Sequence, residues 1–301
     1  MQMEATQITV FTPTYNRASH LVRLYGSILQ QQYDTFEWLI VDDGSTDDTR
    51  RVVEGFKEEG QVTIRYFFQQ NSGKHIAINT GVKEASGELF FIVDSDDLLL
   101  DGALQEINKV WQTLRRACGG RGYAGICGLR RFENGEVIGG AVDYQVLDTS
   151  ILDYRYNRKY KGDKAEVFVT EVLADYPFPT IEGEKFCTEG LVWNRIGLSY
   201  NMRFFNEPLY ITEFLDGGLT SRSLQLRKEN PQYAMLFYSE LLNMPRVAFR
   251  YKLRAALNFW RFSVYDRQHS LWEKIRQVRQ FWAVGLLPIG YGLYFLGSLR
   301  K

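Results

Sequence analysis

The chain has 301 residues, 45% hydrophobic and 24% charged, enough to bury one large α/β core with an extension and too many for a small stapled scaffold. Its 36 basic and 36 acidic side chains cancel, which removes any overall electrostatic pull toward nucleic acid. Cys118, Cys127 and Cys187 form no CxxC pair and have no histidine at ligand spacing, which argues against zinc and for a reducing compartment.

The opening residues, MQMEATQITVFTPTYNR, lack a basic start followed by an apolar stretch of leader length, so a cytoplasmic location is expected. The first predicted strand, Ile8 to Thr12, runs into Thr12-Pro13-Thr14-Tyr15-Asn16-Arg17. A helical face of Leu21, Leu24, Ile28 and Leu29 follows. The second strand, Phe36 to Asp42, ends in Asp42-Asp43-Gly44-Ser45, and Val52, Val53 and Phe56 mark the next helix. The third, Thr63 to Phe68, leads to Asn71-Ser72-Gly73-Lys74 and a helix carrying Ile78, Val82 and Ala85. The fourth, Leu89 to Asp94, enters Asp94-Ser95-Asp96-Asp97. Strand and helix alternate four times, which predicts a mainly parallel, Rossmann-like central sheet with helices on both faces. Ligands of such sheets sit beyond the carboxyl ends of the strands, where every unusual polar cluster of this half falls. Ser45 with Asp48 reads as a capping box, and Asn16 as a helix cap.

From about Trp111 to Asn243 the pattern loosens into Gly-rich turns and short strand-like pieces. Beyond Pro245 there are 11 Lys or Arg against two acids, Asp266 and Glu273. Phe249, Leu253, Leu257, Trp260 and Val264 predict an amphipathic helix whose other faces carry Arg250, Arg254 and Arg261. Phe281 to Leu299 holds 19 residues without a charge but includes Pro288 and four glycines. That is nearly a bilayer span; with Trp260, Trp272 and Trp282 in basic surroundings, it is read as peripheral attachment to an anionic inner leaflet.

Three carboxylates within four positions strain a fold unless a cation sits among them. Asp94 and Asp96 alternate to one side of an extended chain, and hard oxygen ligands at that spacing suit Mg²⁺ or Mn²⁺. A solvated acidic loop with Asp97 as a cap is the ordinary alternative. Asp42 and Asp43 can accept hydrogen bonds from a base or ribose, or serve as turn residues. Tyr15 can stack on a base, Lys74 can meet a diphosphate, and His75 reads as packing or surface.

Together the strings VDDGSTDDT (Val41 to Thr49), TPTYNR and NSGKHIAINTGVKEASGELFFIVDSDD resemble the nucleotide-sugar half of the inverting family 2 glycosyltransferases. The likeness covers roughly the first 110 residues tightly and runs more loosely to about Leu226. It implies the GT-A fold in residues 1–243, with a donor half over 1–110 and an acceptor half over 111–243, and leaves 244–301 as a helical extension. It implies that Thr12, Pro13, Tyr15 and Arg17 line the nucleotide pocket and that Asp42 or Asp43 binds the base. Asn71, Lys74 and Asn79 then fall near the donor. Asp94 and Asp96 become the DXD pair that holds the metal, with Ser95 between them on the donor. The partners implied are a nucleotide sugar, UDP by family frequency, and a glycan or lipid-linked acceptor in surface polysaccharide synthesis. Thr188-Glu189-Gly190 resembles the family's TED motif with its second acid replaced by glycine. Glu189 is therefore the expected general base, with Glu184 and Asp216 as substitutes and an ion pair with Arg195 as the ordinary alternative. The QxxRW signature of processive members is missing. Two other readings compete: a haloacid-dehalogenase-like phosphatase built on DSDD, and a nucleotide-sugar binder without turnover. A P-loop is excluded because Phe68 and His75 stand where Gly and Ser or Thr are required.

Overall fold

The computed structural model describes residues 7–212 and 222–298, with side chains as far as Gly292. The chain divides into two compact units. The first is built from Met1–Ile151, Tyr160–Pro177 and Ile196–Phe214, the second from Leu152–Lys159, Phe178–Arg195 and Leu215–Lys301. The division thus interleaves along the sequence.

The first unit carries, in chain order, β1 (Ile8–Thr14), α1 (Ala18–Leu29), β2 (Phe36–Asp42), α2 (Thr49–Glu59), β3 (Ile64–Phe68), α3 (Lys74–Glu84) and β4 (Leu89–Ile92). Then come β5 (Leu98–Leu99), α4 (Ala103–Cys118), β6 (Tyr123–Arg131), β7 (Val146–Thr149), β8 (Ala165–Val169), α5 (Thr170–Ala174) and β9 (Asn201–Ile211). The strands form one sheet in the order β3-β2-β1-β4-β8-β6-β9-β5, with β7 paired to β9. The first four strands are mutually parallel, as the alternation predicts. Beyond β4 the sheet is mixed: β8 runs antiparallel to β4 and β6, β9 parallel to β6, and β5 and β7 antiparallel to β9.

Alternation along the strands divides the packing. Ile8 and Val10 of β1, Trp38 and Ile40 of β2, Leu89 and Phe91 of β4, and Val167 of β8 enter one core with α1, α2 and α4, through Leu21, Leu24, Ile28, Val53, Phe56, Leu104, Ile107 and Trp111. Each such side chain is stabilised by roughly 1.5–3 kcal/mol on leaving water. On the other face Phe11 stacks on Phe90 with ring centroids 4.8 Å apart. Gly81 of α3 lies over the Phe11 ring so closely that a β-carbon there would come within 2.2 Å of it. Gly81→Ala would therefore push α3 off the sheet. Register keeps the strand ends level: Thr14 lies opposite Asp42, Asp42 opposite Phe68, and Phe11 opposite Ile92. The loops after β1 to β4 consequently leave the sheet along one edge.

The second unit is helical: α6 (Gly190–Ile196), α7 (Ser223–Glu229), α8 (Pro231–Asn243), α9 (Phe249–Ser263), α10 (Leu271–Val278), α11 (Phe281–Val284) and α12 (Leu287–Ser298), with a π-helical turn at Asp153–Asn157. Its core joins Met235, Leu241 and Leu242 of α8 to Ala255, Ala256, Phe259 and Trp260 of α9, Val278 of α10 and Ala283 of α11. The predicted helix at Phe249 is present, and of the expected stripe Trp260 is buried and Leu257 and Val264 are half-buried, but the Phe249 and Leu253 end is not. Ala255, Ala256, Phe259 and Trp260 face inward, while Phe249 and Leu253 face solvent. Ala255 and Ala256 let the neighbouring helices approach closely beside the large buried rings of Phe259 and Trp260. The uncharged run from Phe281 is broken into α11 and α12. Pro288 takes a place in the first turn of α12, where its missing N–H costs no helical bond. Among the described residues no helix is long and apolar enough to cross a membrane.

Candidate active site

Four loops meet along the carboxyl edge of β1 to β4, and side-chain hydrogen bonds tie each to the next. Asn16, after β1, adopts a left-handed backbone (φ 51°) that asparagine tolerates. Its amide N–H donates to Ser45 Oγ (2.8 Å), and its side-chain oxygen accepts from the Thr46 N–H (2.8 Å). Asp47 accepts from the Ala18 N–H (3.2 Å) with one oxygen and from the Thr49 N–H and hydroxyl (3.0 and 2.6 Å) with the other. The anticipated Ser45–Asp48 capping box does not form. Ser45 serves Asn16 and Asp47 serves the starts of two helices, because the β1 loop lies within reach and competes for those groups. Arg17, not Asn16, occupies the cap position of α1.

The β2 loop reaches the β3 loop through two carboxylates. Asp42 accepts from the Ser45 N–H (2.7 Å) and from the Tyr66 hydroxyl (2.6 Å). Asp43 accepts from Gln69 Nε2 (2.7 Å) and from the N–H groups of Ser72 and Gly73 (both 2.8 Å), while its carbonyl accepts from Asn71 Nδ2 (2.8 Å). Gly44, with φ +88°, passes so near Asn71 that a β-carbon would lie 2.8 Å from its nitrogen. Both aspartates therefore shape the loops. Two hydrogen bonds at Asp42 and three at Asp43 still leave part of each carboxylate's accepting capacity for a ligand.

The β3 loop reaches the β4 loop through Lys74, the first residue of α3, whose Nζ lies 2.5 Å from Asp94 Oδ1. Behind this pair stands a group that sequence reasoning missed. Arg130, at the end of β6, has its guanidinium 3.9 Å from Asp97, 3.7 Å from Glu166 of β8 and 4.6 Å over the ring of Tyr210 of β9, and its Nε donates to the Lys164 carbonyl (2.8 Å). An arginine pair directly after the apolar run YAGICGL is the sequence signal that pointed to it.

The cluster is short of positive charge. Asp94, Asp96, Asp97 and Glu166 face Lys74 and Arg130, with Arg17 close enough to Asp96 to act on it. Burial works against ionisation of Asp94, but Lys74 and Arg130 outweigh it and hold the carboxyl below the usual range. Burial and then the charge of Asp94 push Asp96 up, and push Asp97 well up. The buried Tyr210 hydroxyl beside them makes no hydrogen bond among the described residues. An all-oxygen set with surplus carboxylates fits a hard divalent cation. Among the described residues, however, no group of three or more His, Cys, Asp or Glu forms a ready cage. A cation here would take much of its coordination from a bound anion and water.

The other expected residues fall as follows. Thr12, Pro13 and Thr14 are buried at the end of β1; Thr12 Oγ1 accepts from Trp38 Nε1 (3.0 Å), and Thr14 Oγ1 has no hydrogen bond among the described residues. Tyr15 is 49% exposed beside them. Ser95 is buried, and Asn79 lies within α3. His75 is buried and its imidazole is pushed down to about 4, so it is neutral packing, as anticipated. Glu189 belongs to the second unit, half-buried just before α6, where its carbonyl accepts from the N–H groups of Val192 and Trp193. Arg195 gives a two-pronged ion pair to Glu240 (2.9 and 2.6 Å). Glu184 caps α8 by accepting from the N–H groups of Gln232 and Tyr233 (both 2.8 Å), which explains its burial without catalysis. Asp216 lies outside the described residues.

Fold and site together define a Rossmann-like α/β protein with a cation-attracting edge formed by the loops of its parallel strands. Residues 9–170, more than half of the chain, match the family model described as glycosyl transferase family 2, and the chain belongs to that family. It is 39% identical over 107 residues to an uncharacterized glycosyltransferase of Nostoc sp., a match covering 36% of this chain and 33% of that one. It is 37% identical over 103 residues to the GalNAc(5)-diNAcBac-PP-undecaprenol beta-1,3-glucosyltransferase of Campylobacter jejuni, covering 34% and 33%. The chain spans about a third or less of the length of the curated relatives it first matches. Among solved structures, S. aureus TarS in complex with UDP-GlcNAc superposes with a TM-score of 0.61 at 20% identity, over 96% of this chain and 80% of that one. The mannosyltransferase PcManGT of Pyrobaculum calidifontis, in complex with GDP-Man and Mn²⁺, gives 0.54 at 18%, over 97% and 81%. At these identities the likeness is one of fold.

Proposed function

We propose that this chain transfers a sugar from a nucleotide-sugar donor, with UDP the favoured nucleotide, to a glycan or lipid-linked acceptor in surface polysaccharide synthesis, inverting the anomeric centre. The reading rests on one observation above all: the unbroken series of side-chain bonds that joins the β1, β2, β3 and β4 loops and ends on Asp94. Such a series pre-organises one edge for a single extended ligand with a base at one end and a charged diphosphate at the other. Family membership displaces the phosphatase alternative.

In this reading Tyr15 offers its exposed ring to the base, and Asp42 and Asp43 use their remaining lone pairs on base or ribose. Thr12, Pro13, Arg17, Asn71 and Ser95 complete the donor's surroundings. Asp94 and Asp96 act as the DXD pair that would hold Mg²⁺ or Mn²⁺. When bound, that ion would offset the charge that builds on the departing diphosphate. Lys74 contributes a further positive charge at the start of α3, whose dipole has the same sign there. Glu189 removes the proton of the attacking acceptor hydroxyl. Residues 1–243 form the transferase, with 1–110 on the donor side and 111–243 on the acceptor side, and 244–301 form the extension that holds it at the inner face of the membrane.

A screen of nucleotide sugars for thermal stabilisation with and without Mn²⁺ tests the proposal, because a ligand that prefers the folded state raises the melting temperature by mass action. One sugar nucleotide should stabilise, and only with the metal. No metal-dependent shift with any UDP, GDP or dTDP sugar would defeat it.

A further inference from the structure

α9 buries Ala255, Ala256, Phe259 and Trp260 but leaves Phe249 and Leu253 outside. Phe249 is 63% exposed and Leu253 sits one turn further along the same side, with Arg250 and Arg254 adjoining them, also exposed. The Phe249 ring meets that of Trp282 at 5.0 Å, so the start of α9 adjoins α11. There the neighbouring Phe281 stands 97% exposed. On α10, Lys274 and Val278 face inward while Trp272, 74% exposed, shares the outer side with Arg276 and Arg279 at helical spacing. Three short helices thus present protruding aromatics interleaved with arginines.

Negative charge is sparse in this region. Of the two acids beyond Pro245, Asp266 is buried and accepts from Lys274 Nζ and from the N–H groups of Gln268 and His269. Glu273 stays exposed and accepts from the N–H and hydroxyl of Ser270 in a capping box. Among the described residues beyond Pro245, Lys274 is the buried exception among the basic groups, spent on Asp266 and two carbonyls. A solvated face would not expose Phe281 and Trp272, and a protein-binding face ordinarily mixes both signs of charge at its rim.

We infer that α9, α10 and α11 form a docking face for an anionic lipid bilayer. Trp272, Phe249 and Phe281 enter the headgroup region, and Arg250, Arg254, Arg276 and Arg279 meet lipid phosphates. Separate aromatic tips among cations suit a yielding, uniformly anionic surface, whereas a second protein would need one contiguous complementary patch. The helices lie on the surface, since none of those described can cross it. For its purpose, access to a lipid-linked acceptor, the inference rests on the proposed function; its chemistry is independent of it.

The test is sedimentation of the full chain with phosphatidylcholine vesicles and with vesicles containing phosphatidylglycerol, together with tryptophan emission. The chain should pellet with the anionic vesicles alone, its emission should shift to the blue, and added salt should reverse part of the binding. Trp272→Ser with Phe281→Ser, and separately Arg250→Glu with Arg254→Glu, should each weaken vesicle affinity by about tenfold or more. Donor-induced thermal stabilisation should be unchanged in all four-residue positions, which separates failure of this inference from failure of the transferase reading. Absence of wild-type binding to anionic vesicles, or variants that bind as wild type, would overturn the inference. So would a dimer in light scattering that the Trp272 and Phe281 changes dissolve, since the face would then belong to a second copy.

Discussion

The two units use charged side chains in opposite ways. In the first, carboxylates are turned inward onto loop N–H groups, and the cations Lys74 and Arg130 are drawn in behind them. In the second, beyond Pro245, acids are few and are held by Lys274 and by a helix cap, while Arg250, Arg254, Phe249, Trp272 and Phe281 remain outside. The first arrangement fixes geometry, because each buried acceptor must be matched by a donor in one place. The second fixes only a surface character, because solvated arginines are held by little. Pre-organisation, and the adhesion proposed for the second unit, call for opposite treatments of charge.

The largest effect that would break this division is expected at Glu189, the one proposed catalytic group in the second unit. Glu189→Gln should lower the turnover number by about 10²–10⁴-fold while leaving donor-induced thermal stabilisation intact, as measured by product formation beside melting curves. Full activity in the variant would place the base elsewhere. Next comes Lys74. Because it occupies Asp94 at 2.5 Å, Lys74→Met should weaken donor binding by about tenfold or more through a lost charge-assisted contact, yet strengthen Mn²⁺ binding to the protein without donor, as followed by calorimetry. Weaker metal binding in both states would mean that Lys74 only shapes the loop.

Asp43→Ala should cost about 1–3 kcal/mol of stability, because the N–H groups of Ser72 and Gly73 lose their acceptor, with donor affinity falling in parallel. Chemical denaturation and donor titration measure the two effects. The smallest change sharpens the comparison away from the site. Glu37, buried on the sheet, is desolvated, but the Ser86 N–H, the Thr9 hydroxyl and Arg65 outweigh burial and hold its carboxyl below the ordinary range. A folded-state pKa below the unfolded one gives stability that is complete above the unfolded value, about 4.3, and is lost as pH falls through the folded one. Glu37→Gln should therefore lower stability by about 1–2 kcal/mol near neutrality and flatten the loss below about pH 4.

By itself the sequence determined the first four strands, the helices between them and the common edge of their loops. In each, local periodicity, register and topology agree, so a short stretch carries enough information. It likewise marked Asp42, Asp43, Lys74 and Asp94 as neighbours, since parallel strands of equal reach must release their loops together. Only the tertiary structure decided that Asp47 and Ser45 bridge loops instead of forming the capping box, because a competing partner from β1 is remote in sequence. The same holds for Arg130, Glu166 and Tyr210, brought to the acidic cluster by antiparallel and crossover pairings that leave no local trace. It also decided the rotation of α9. Apolar residues lie on more than one side of that helix, and the choice was made by the packing of its neighbours on Ala255, Ala256, Phe259 and Trp260.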